Sequence, residues 1–530
     1  MSQKPTIGGT NTDRLKDFKK PPLSYWLSST QSTKYPALDG DIDVDILIIG
    51  GGLVGFACAY QLLGLTPSIA ILEANTVFGG VTARTTAKIT SQHGLIYNKI
   101  KTMMGKELAQ QYADANQWAI EEIKRISDKH GIQCDYVTEP AFVYTQQNKN
   151  LQKIKDEVRA AAGLGISASF ADAIPFDMPI KGAVRFDNQA RFHPLKFGLG
   201  LAQYIAKQGV QIFENSRAVD IEENGSYVVT ASQGKRITAR KVIIASHYPF
   251  YNKHGMYFAR IYSERAYALA IKAAEKFPGG MYVNADDPAR SLRNQETQDG
   301  EIILIVGEHH KTGQGRSTIQ HYEALADFAN TLFTVQDIPY RWSTQDCMTV
   351  DGLPYVGNYT LNTPNLYVAT GFQKWGITNS IVSSAILRDL IIHGKSSWQD
   401  VYNPSRKTIV ASSKNFIVEN LNVAEQLLDG KLSQLPKSMK LEPGDAQIFR
   451  MDGKRIGAYR DRTGNLHLVN TTCTHMGCEL NWNSAEESWD CPCHGSRFTY
   501  EGKVISGPAV KPLRASDDVS TIGKLFTDDF

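Results

Sequence analysis

The sequence has no uninterrupted apolar stretch near the roughly 18 residues of a membrane-spanning helix, so a transmembrane segment is not expected. It also lacks a Lys/Arg block. Its 57 basic and 54 acidic residues leave a formal charge of +3, which removes the electrostatic footprint of a nucleic-acid binder. Cysteine is scarce: seven in 530 residues, with Cys58, Cys134 and Cys347 too scattered for a secreted disulfide scaffold. The opening MSQKPTIGGTNTDRLKDFKKPPLSYW contains neither an apolar core nor a twin-arginine pair. No export signal is read there, and the expected location is cytoplasmic. What remains is the composition of a globular protein, 42% hydrophobic and 21% charged. The chain is too long for one ordinary core, so two or three domains are expected.

Residues 1–43 read as a polar arm packed on the main body. From Val44 the pattern becomes α/β, with Asp45 to Ile49 as a buried parallel strand and Ser68 to Glu73 as the next. Residues 102–131 read as helical. Ala141 to Tyr144 and Ile174 to Phe186 read as strands and turns of an inserted domain. Buried strands follow at 241–245 and 302–306, a helix at 316–334, a returning strand at 366–371 and a helix at about 376–393. A chain that leaves a nucleotide-binding sheet and returns to it makes a discontinuous domain, placed at 44–403. A connector (404–442) with one amphipathic stretch, Val418 to Leu428, leads to short strands and glycine turns at 443–530.

The other four cysteines lie in Cys473-Thr474-His475-Met476-Gly477-Cys478 and Cys491-Pro492-Cys493-His494-Gly495-Ser496. A Cys-x-His pair and a Cys-x-x-His pair, each with an extra cysteine, suit a Rieske [2Fe–2S] centre, where one iron takes two thiolates and the other two imidazoles. Zinc is the alternative, since Cys473, Cys478, Cys491 and His494 could make a Cys3His site. The whole phrase CTHMGC…CPCHGS resembles Rieske proteins, and Gly507 to Leu513 resembles the proline loop that covers their cluster. The resemblance implies Cys473 and Cys491 on one iron, His475 and His494 on the other, and a Cys478–Cys493 disulfide tying the loops.

Gly50-Gly51-Gly52-Leu53-Val54-Gly55 fits G-x-G-x-x-G directly after a strand. Gly50, Gly52 and Gly55 then allow backbone to approach a pyrophosphate at a helix N-terminus, and Glu73 ends the next strand where it can hold ribose hydroxyls. No second such fingerprint appears; the glycine- and histidine-rich GEHHKTGQG at 307–315 has the wrong spacing. Gly79 to Thr90 resembles the flavin-side loop of the D-amino-acid-oxidase, glycine-oxidase and sarcosine-oxidase superfamily. Thr370 to Thr378, Arg191-Phe192-His193-Pro194 and Asp351 to Gly357 resemble further segments of it. Over residues 44–395 the resemblance implies FAD and oxidation of a carbon bearing nitrogen or oxygen. Its fold would be a Rossmann-type α/β FAD domain with an inserted antiparallel-sheet substrate domain, here followed by an all-β Rieske domain.

That resemblance assigns Gly80, Arg84, Thr85, Lys88, Gly371, Phe372, Gly376, Ile377 and Thr378 to the cofactor. Lys374, Trp375, His93 and Tyr355 are catalytic or cavity candidates, with His247 a further one. Arg341 is read as a carboxylate binder or a salt-bridge partner. The expected substrate is a small amine or amino-acid-like metabolite, with electrons exchanged between flavin and cluster and an external one-electron donor or acceptor protein as partner; the alternatives are a non-catalytic or sensing electron-transfer protein and a flavin reductase fed through the Rieske cluster.

Respiratory Rieske proteins place a second hydroxyl donor, a tyrosine, two residues beyond the serine corresponding to Ser496; here that residue is Phe498. Hydrogen bonds to the cluster sulfurs raise its potential. A redox titration is expected to give a value in the middle of the Rieske range of roughly −150 to +300 mV. A value at the top of the range would refute the role given to Phe498.

Overall fold

The run from Asp45 to Ile49 lies in the strand Ile42–Ile49 at the centre of a largely parallel sheet in a computed structural model. The structure describes residues 18, 21–315, 317–406, 413–432, 441–451 and 454–514. Arg236–Ile244 pairs in parallel on one side of Ile42–Ile49, in register Ile46 to Lys241, and Ile69–Leu72 on the other. Gln211–Phe213 extends one edge; Leu366–Thr370 and antiparallel Tyr355–Asn358 extend the other. The pleat divides the central strand between two cores. Ile46 and Ile48 pack with the helices, whereas Leu47 and Ile49 pack toward Val229 and Tyr355. Burial on both faces explains why this strand reads as an unbroken apolar run.

The inserted domain is a nine-stranded, mainly antiparallel sheet. Its spatial order begins with Val335–Thr349, Ile261–Ala273, Gly300–Lys311 and Arg290–Thr297. The apolar run 302–306 therefore belongs to this sheet and not to the nucleotide-binding one. The helix expected over 102–131 is broken at Gly105, whose φ of 90° separates Ile96–Met104 from Lys106–Lys129. Gly376–His393 is a continuous helix.

Beyond residue 440, Ala446–Met451, Lys454–Arg460 and Leu466–Asn470 form one small sheet. Asn481–Asn483, Ser488–Asp490, Arg497–Thr499 and Val504–Ser506 form another. The connector contains the helix Ser413–Leu432, whose Val423 and Leu427 pack against the core containing Cys473 and Cys491. Among the described residues, no helix is long and apolar enough to cross a membrane.

Two buried arginines fasten chain segments to this body. Arg341 donates to the Phe18 carbonyl at 2.6 Å and lies over the Phe18 and Tyr322 rings, so it anchors the N-terminal arm. Arg406 forks onto Asp351 at 2.6 and 2.7 Å and also donates to the Leu353 and Pro354 carbonyls. The Asp351 side chain is fully buried, so removing Arg406 takes away the two-pronged ion pair on a buried carboxylate. Arg406→Leu is expected to cost about 3–5 kcal/mol of stability in denaturant unfolding. Asp351→Asn combined with Arg406→Gln should recover part of that loss; equal stability of Arg406→Leu and wild type would contradict the assignment.

Candidate functional site

The two Cys/His loops close on each other. The Cys478 carbonyl accepts from Cys473 N at 2.8 Å, and the Ser496 carbonyl accepts from Cys491 N at 2.8 Å, turning each loop back on itself. Cys478 and Cys493 form a disulfide between the loops, with Cα atoms 6.5 Å apart. Sulfurs of Cys478, Cys491 and Cys493 all lie within 4.8 Å, but two of the three are already bonded to each other. The zinc alternative is thereby corrected, because Cys478 cannot serve as a fourth ligand.

Cys473 and Cys491, both buried and free, instead stand beside one another. The His475 and His494 rings sit 5.0 Å apart and nearly perpendicular. Burial pulls the His475 imidazole down to about 4 and that of His494 to about 3, the latter helped by His475. Both are therefore neutral, as ligands must be. His475 Nδ1 is buried without a hydrogen-bond partner, the kind of orphaned atom a metal satisfies. Two thiols, two neutral imidazoles and that orphaned nitrogen fit a [2Fe–2S] cluster of Rieske type. The Ser496 hydroxyl reaches Cys473 and accepts from Ala509 N at 3.0 Å, while Phe498 is wholly buried and offers no hydroxyl.

The second site is built at the C-terminal ends of the parallel strands. Gly50 has φ 119°, and a Cβ there would strike the Ala245 carbonyl; one on Gly55 would strike the Gly50 carbonyl. These contacts hold the turn tight against the sheet. The helix Leu53–Leu62 starts at Gly52 without a side-chain cap or an acidic residue in its first turn, an arrangement that favours a phosphate. Glu73 accepts from Gly51 N at 2.7 Å and Asn75 N at 2.8 Å; burial pushes its carboxyl up, and those N–H groups pull it back.

Thr85, Lys88, His93, Lys374, Trp375 and Thr378 line a small pocket, which Ile377 also borders. The helix Gly376–His393 opens onto it with no side-chain cap, so its first N–H groups suit an anionic ring edge. Burial works against the Lys374 charge, but ion pairs to Asp346 (3.0 Å) and Glu264 (3.2 Å) outweigh it and keep the ammonium protonated. Lys88 is pulled down to about 7, first by burial and then by Arg293. The glycine turn, Glu73 and the uncapped helix together fit FAD.

Several candidates stand elsewhere or are already occupied. Tyr355 is buried in the core between Arg260 and Arg406, at 5.0 and 4.5 Å, and does not line the cavity. His93 does line it and stacks on Trp375, but both its nitrogens are engaged. Nε2 donates to the Thr90 carbonyl at 2.8 Å, and Nδ1 accepts from the Tyr112 hydroxyl at 2.6 Å. Burial pulls it down to about 3. It is a neutral structural hydrogen-bonder, not an available base. Arg84 turns to the Gly79 and Gly80 carbonyls, and Phe372 is buried in the core. His247 Nε2 donates to the Gln345 carbonyl at 2.9 Å.

The two sites share a wall, which the sequence reading missed. Ile261–Ala273 pairs with Val335–Thr349 so that Ser263 faces Cys347, Glu264 faces Asp346 and Arg265 faces Gln345. Alternate residues point to opposite faces of a strand. Ser263 donates to the His494 carbonyl (3.0 Å), and Gln345 to the Gly495 carbonyl (2.8 Å). From the opposite face, Glu264 and Asp346 hold Lys374. The GEHHKTGQG segment is the adjoining docking loop: a Cβ on Gly313 would come 2.8 Å from Pro492 N, and Gln314 donates to the Pro492 carbonyl at 2.9 Å. Asn252 lies 2.8 Å from His475 Nε2, and Phe258 meets the His494 ring edge-on.

A buried ion cluster seals the edge of this contact. Glu486 pairs with Arg265 and with Arg497, each at 2.8 Å. Burial pushes the Glu486 carboxyl up, but Arg265 and Arg497 outweigh it and hold it well below the usual carboxylate range. Such a group stabilises fully above its unfolded value and loses that contribution as pH falls toward its folded one. In thermal unfolding, the advantage of wild type over Glu486→Gln should be complete at neutral pH and shrink below about pH 4.3. An advantage independent of pH would contradict it.

Comparison with known proteins agrees with both sites. Residues 45–390 match the family model of FAD dependent oxidoreductases (DAO), and residues 432–517 match the Rieske [2Fe-2S] domain. A Bacillus subtilis iron–sulfur protein named for a Rieske 2Fe-2S centre, YhfW, is 41% identical over 500 residues, covering 94% of this chain and 98% of its own. The crystal structure of glycine oxidase from Geobacillus kaustophilus superposes with a TM-score of 0.57 at 18% identity, covering 69% of this chain and 99% of its own. That of L-proline dehydrogenase from P. horikoshii gives 0.58 at 17% identity, covering 69% and 97%. The chain thus belongs to the FAD-dependent oxidoreductase family and joins to that enzyme fold a Rieske [2Fe–2S] domain for electron transfer.

Proposed function

We propose that the protein oxidises a small amine or amino-acid-like metabolite at the flavin cavity and passes the electrons singly into its own Rieske site. One observation carries this reading: the histidine end of the Cys/His site is pressed onto the wall of the flavin cavity. His494 is buried and its carbonyl is held by Ser263, while Gln345 holds the next carbonyl. When bound, FAD links hydride chemistry to single-electron chemistry and the Rieske cluster accepts one electron at a time.

In this reading Gly50, Gly52 and Gly55 admit the pyrophosphate, Glu73 holds the ribose, and the 371–378 loop meets the flavin ring. Lys374, kept charged by Glu264 and Asp346, sets a positive field at that end of the cavity. Trp375 and His93, stacked 5.1 Å apart, close its side and exclude water. Two fold neighbours are named for amino acids, glycine and L-proline, which supports an amino-acid-like substrate. Cys473, His475, Cys491 and His494 hold the cluster. A cytoplasmic one-electron protein would then take the electron near Thr474 and Met476, both exposed on the first loop.

An anaerobic screen of amines and amino acids tests the reading. A substrate should bleach the flavin absorbance and then produce the reduced-cluster electron-spin signal. If no amine or amino acid bleaches the flavin while an external reductant fills the cluster first and the flavin second, the oxidative direction is wrong.

A further inference from the structure

The geometry points to Gln345 as the residue that couples the two redox sites, joining the cluster loop to the flavin-side segment through one strand. The inference rests on the functional reading above and assigns its electron route. Gln345 does two things at once. Its side-chain amide donates to the Gly495 carbonyl at 2.8 Å, next to His494, while its carboxamide oxygen accepts from Thr312 of the docking loop at 3.2 Å. Its backbone carbonyl accepts from His247 Nε2 at 2.9 Å, and the His247 carbonyl accepts from the Thr370 hydroxyl at 2.5 Å. Thr370 leads directly into Gly371, where the flavin-side loop begins.

The neighbouring links converge on the same segment. Ser263, on the same face as Gln345, holds the His494 carbonyl. The Cys347 carbonyl, two residues along, accepts from Gln373 N at 3.0 Å. The path from the His494 loop to the 370–374 loop thus runs through covalent bonds and short hydrogen bonds across one strand pair. The contact leaves no room for an added side chain: a Cβ on Gly495, itself at φ 80°, would collide with Ser263. Gln345 is a positioning residue, since it touches neither set of ligands. The step it supports is transfer of one electron, the flavin losing one and the cluster gaining one, with no proton crossing the wall.

Flash photoreduction of the oxidised holoprotein by deazaflavin and EDTA, followed at flavin and cluster absorbance, measures that transfer without a known substrate. Gln345→Met keeps the side-chain length and removes both polar contacts. It is expected to slow equilibration between the centres by about tenfold or more, because a shift of the His494 loop of under about 1 Å, too small to undock the domain, already carries such a penalty. Both midpoint potentials, the cluster electron-spin spectrum and hydrogen exchange of residues 481–499 should match wild type. An unchanged rate would overturn the proposal. So would a slow variant whose 481–499 segment exchanges freely, because that marks undocking and not a lost route. If Gln345→Met fails to assemble its cluster, Ser263→Ala carries the same expectation and the same refutation. Absence of any transfer in wild type would overturn the functional reading itself, and the route with it.

Discussion

The pairing of Ile261–Ala273 with Val335–Thr349 is the constraint on which the rest of the molecule depends. One strand pair serves two buried surfaces because its side chains alternate. Ser263, Arg265, Ser343 and Gln345 are spent on the Rieske domain, and Glu264 and Asp346 on Lys374. A domain boundary in such proteins is usually a polar, adjustable contact. Here it contains buried charges that are each paired. Opening it would part Arg265 from the Glu486 carboxylate.

That rigidity bears on function through geometry more than through stability. A tethered carrier domain meets its partner at an effective concentration set by its linker. A docked one removes that search altogether. The connector reinforces the docking: Asn420 donates to the Ala259 carbonyl at 3.0 Å, and Glu419 pairs with Lys311 at 2.7 Å. The helix spanning the two bodies is therefore fastened to one of them while its Val423 and Leu427 pack into the other.

Legibility in the sequence followed the chemistry. The Cys/His loops stood out because coordination demands those residue types at short spacings, the resemblance to Rieske proteins implied Cys473, His475, Cys491 and His494 among them, and the fold does gather these four. The turn at Gly50 to Gly55 was readable for a similar reason, since only glycine tolerates such close approach of backbone to backbone. The helix start near Gly376 was expected from the helix pattern at about 376–393 and from the resemblance of Thr370 to Thr378 to a flavin-side segment. Ser263, Gln345, Asn252 and Glu486 were not readable, because their roles arise from pairing across long sequence separations and their residue types are ordinary. GEHHKTGQG did carry a signal, a glycine-rich loop without a nucleotide pattern, but its meaning lay in what it touches. Tyr355 and His93 show the converse. A lone aromatic or histidine in a motif says nothing about whether it faces a cavity or is already committed to its neighbours, as His93 is to Thr90 and Tyr112.

The strand register carries an implication for how this chain can vary. Because Ser263 stands opposite Cys347 and Glu264 opposite Asp346, inserting or deleting one residue in either strand would exchange the two faces beyond that point. Charges now turned to Lys374 would confront the backbone of the cluster loop, and the donors that hold that loop would point into the flavin cavity. Homologous chains that keep both centres should therefore accept length changes in the surrounding turns, such as Gln298–Asp299 between Arg290–Thr297 and Gly300–Lys311, but not within 261–267 or 343–349.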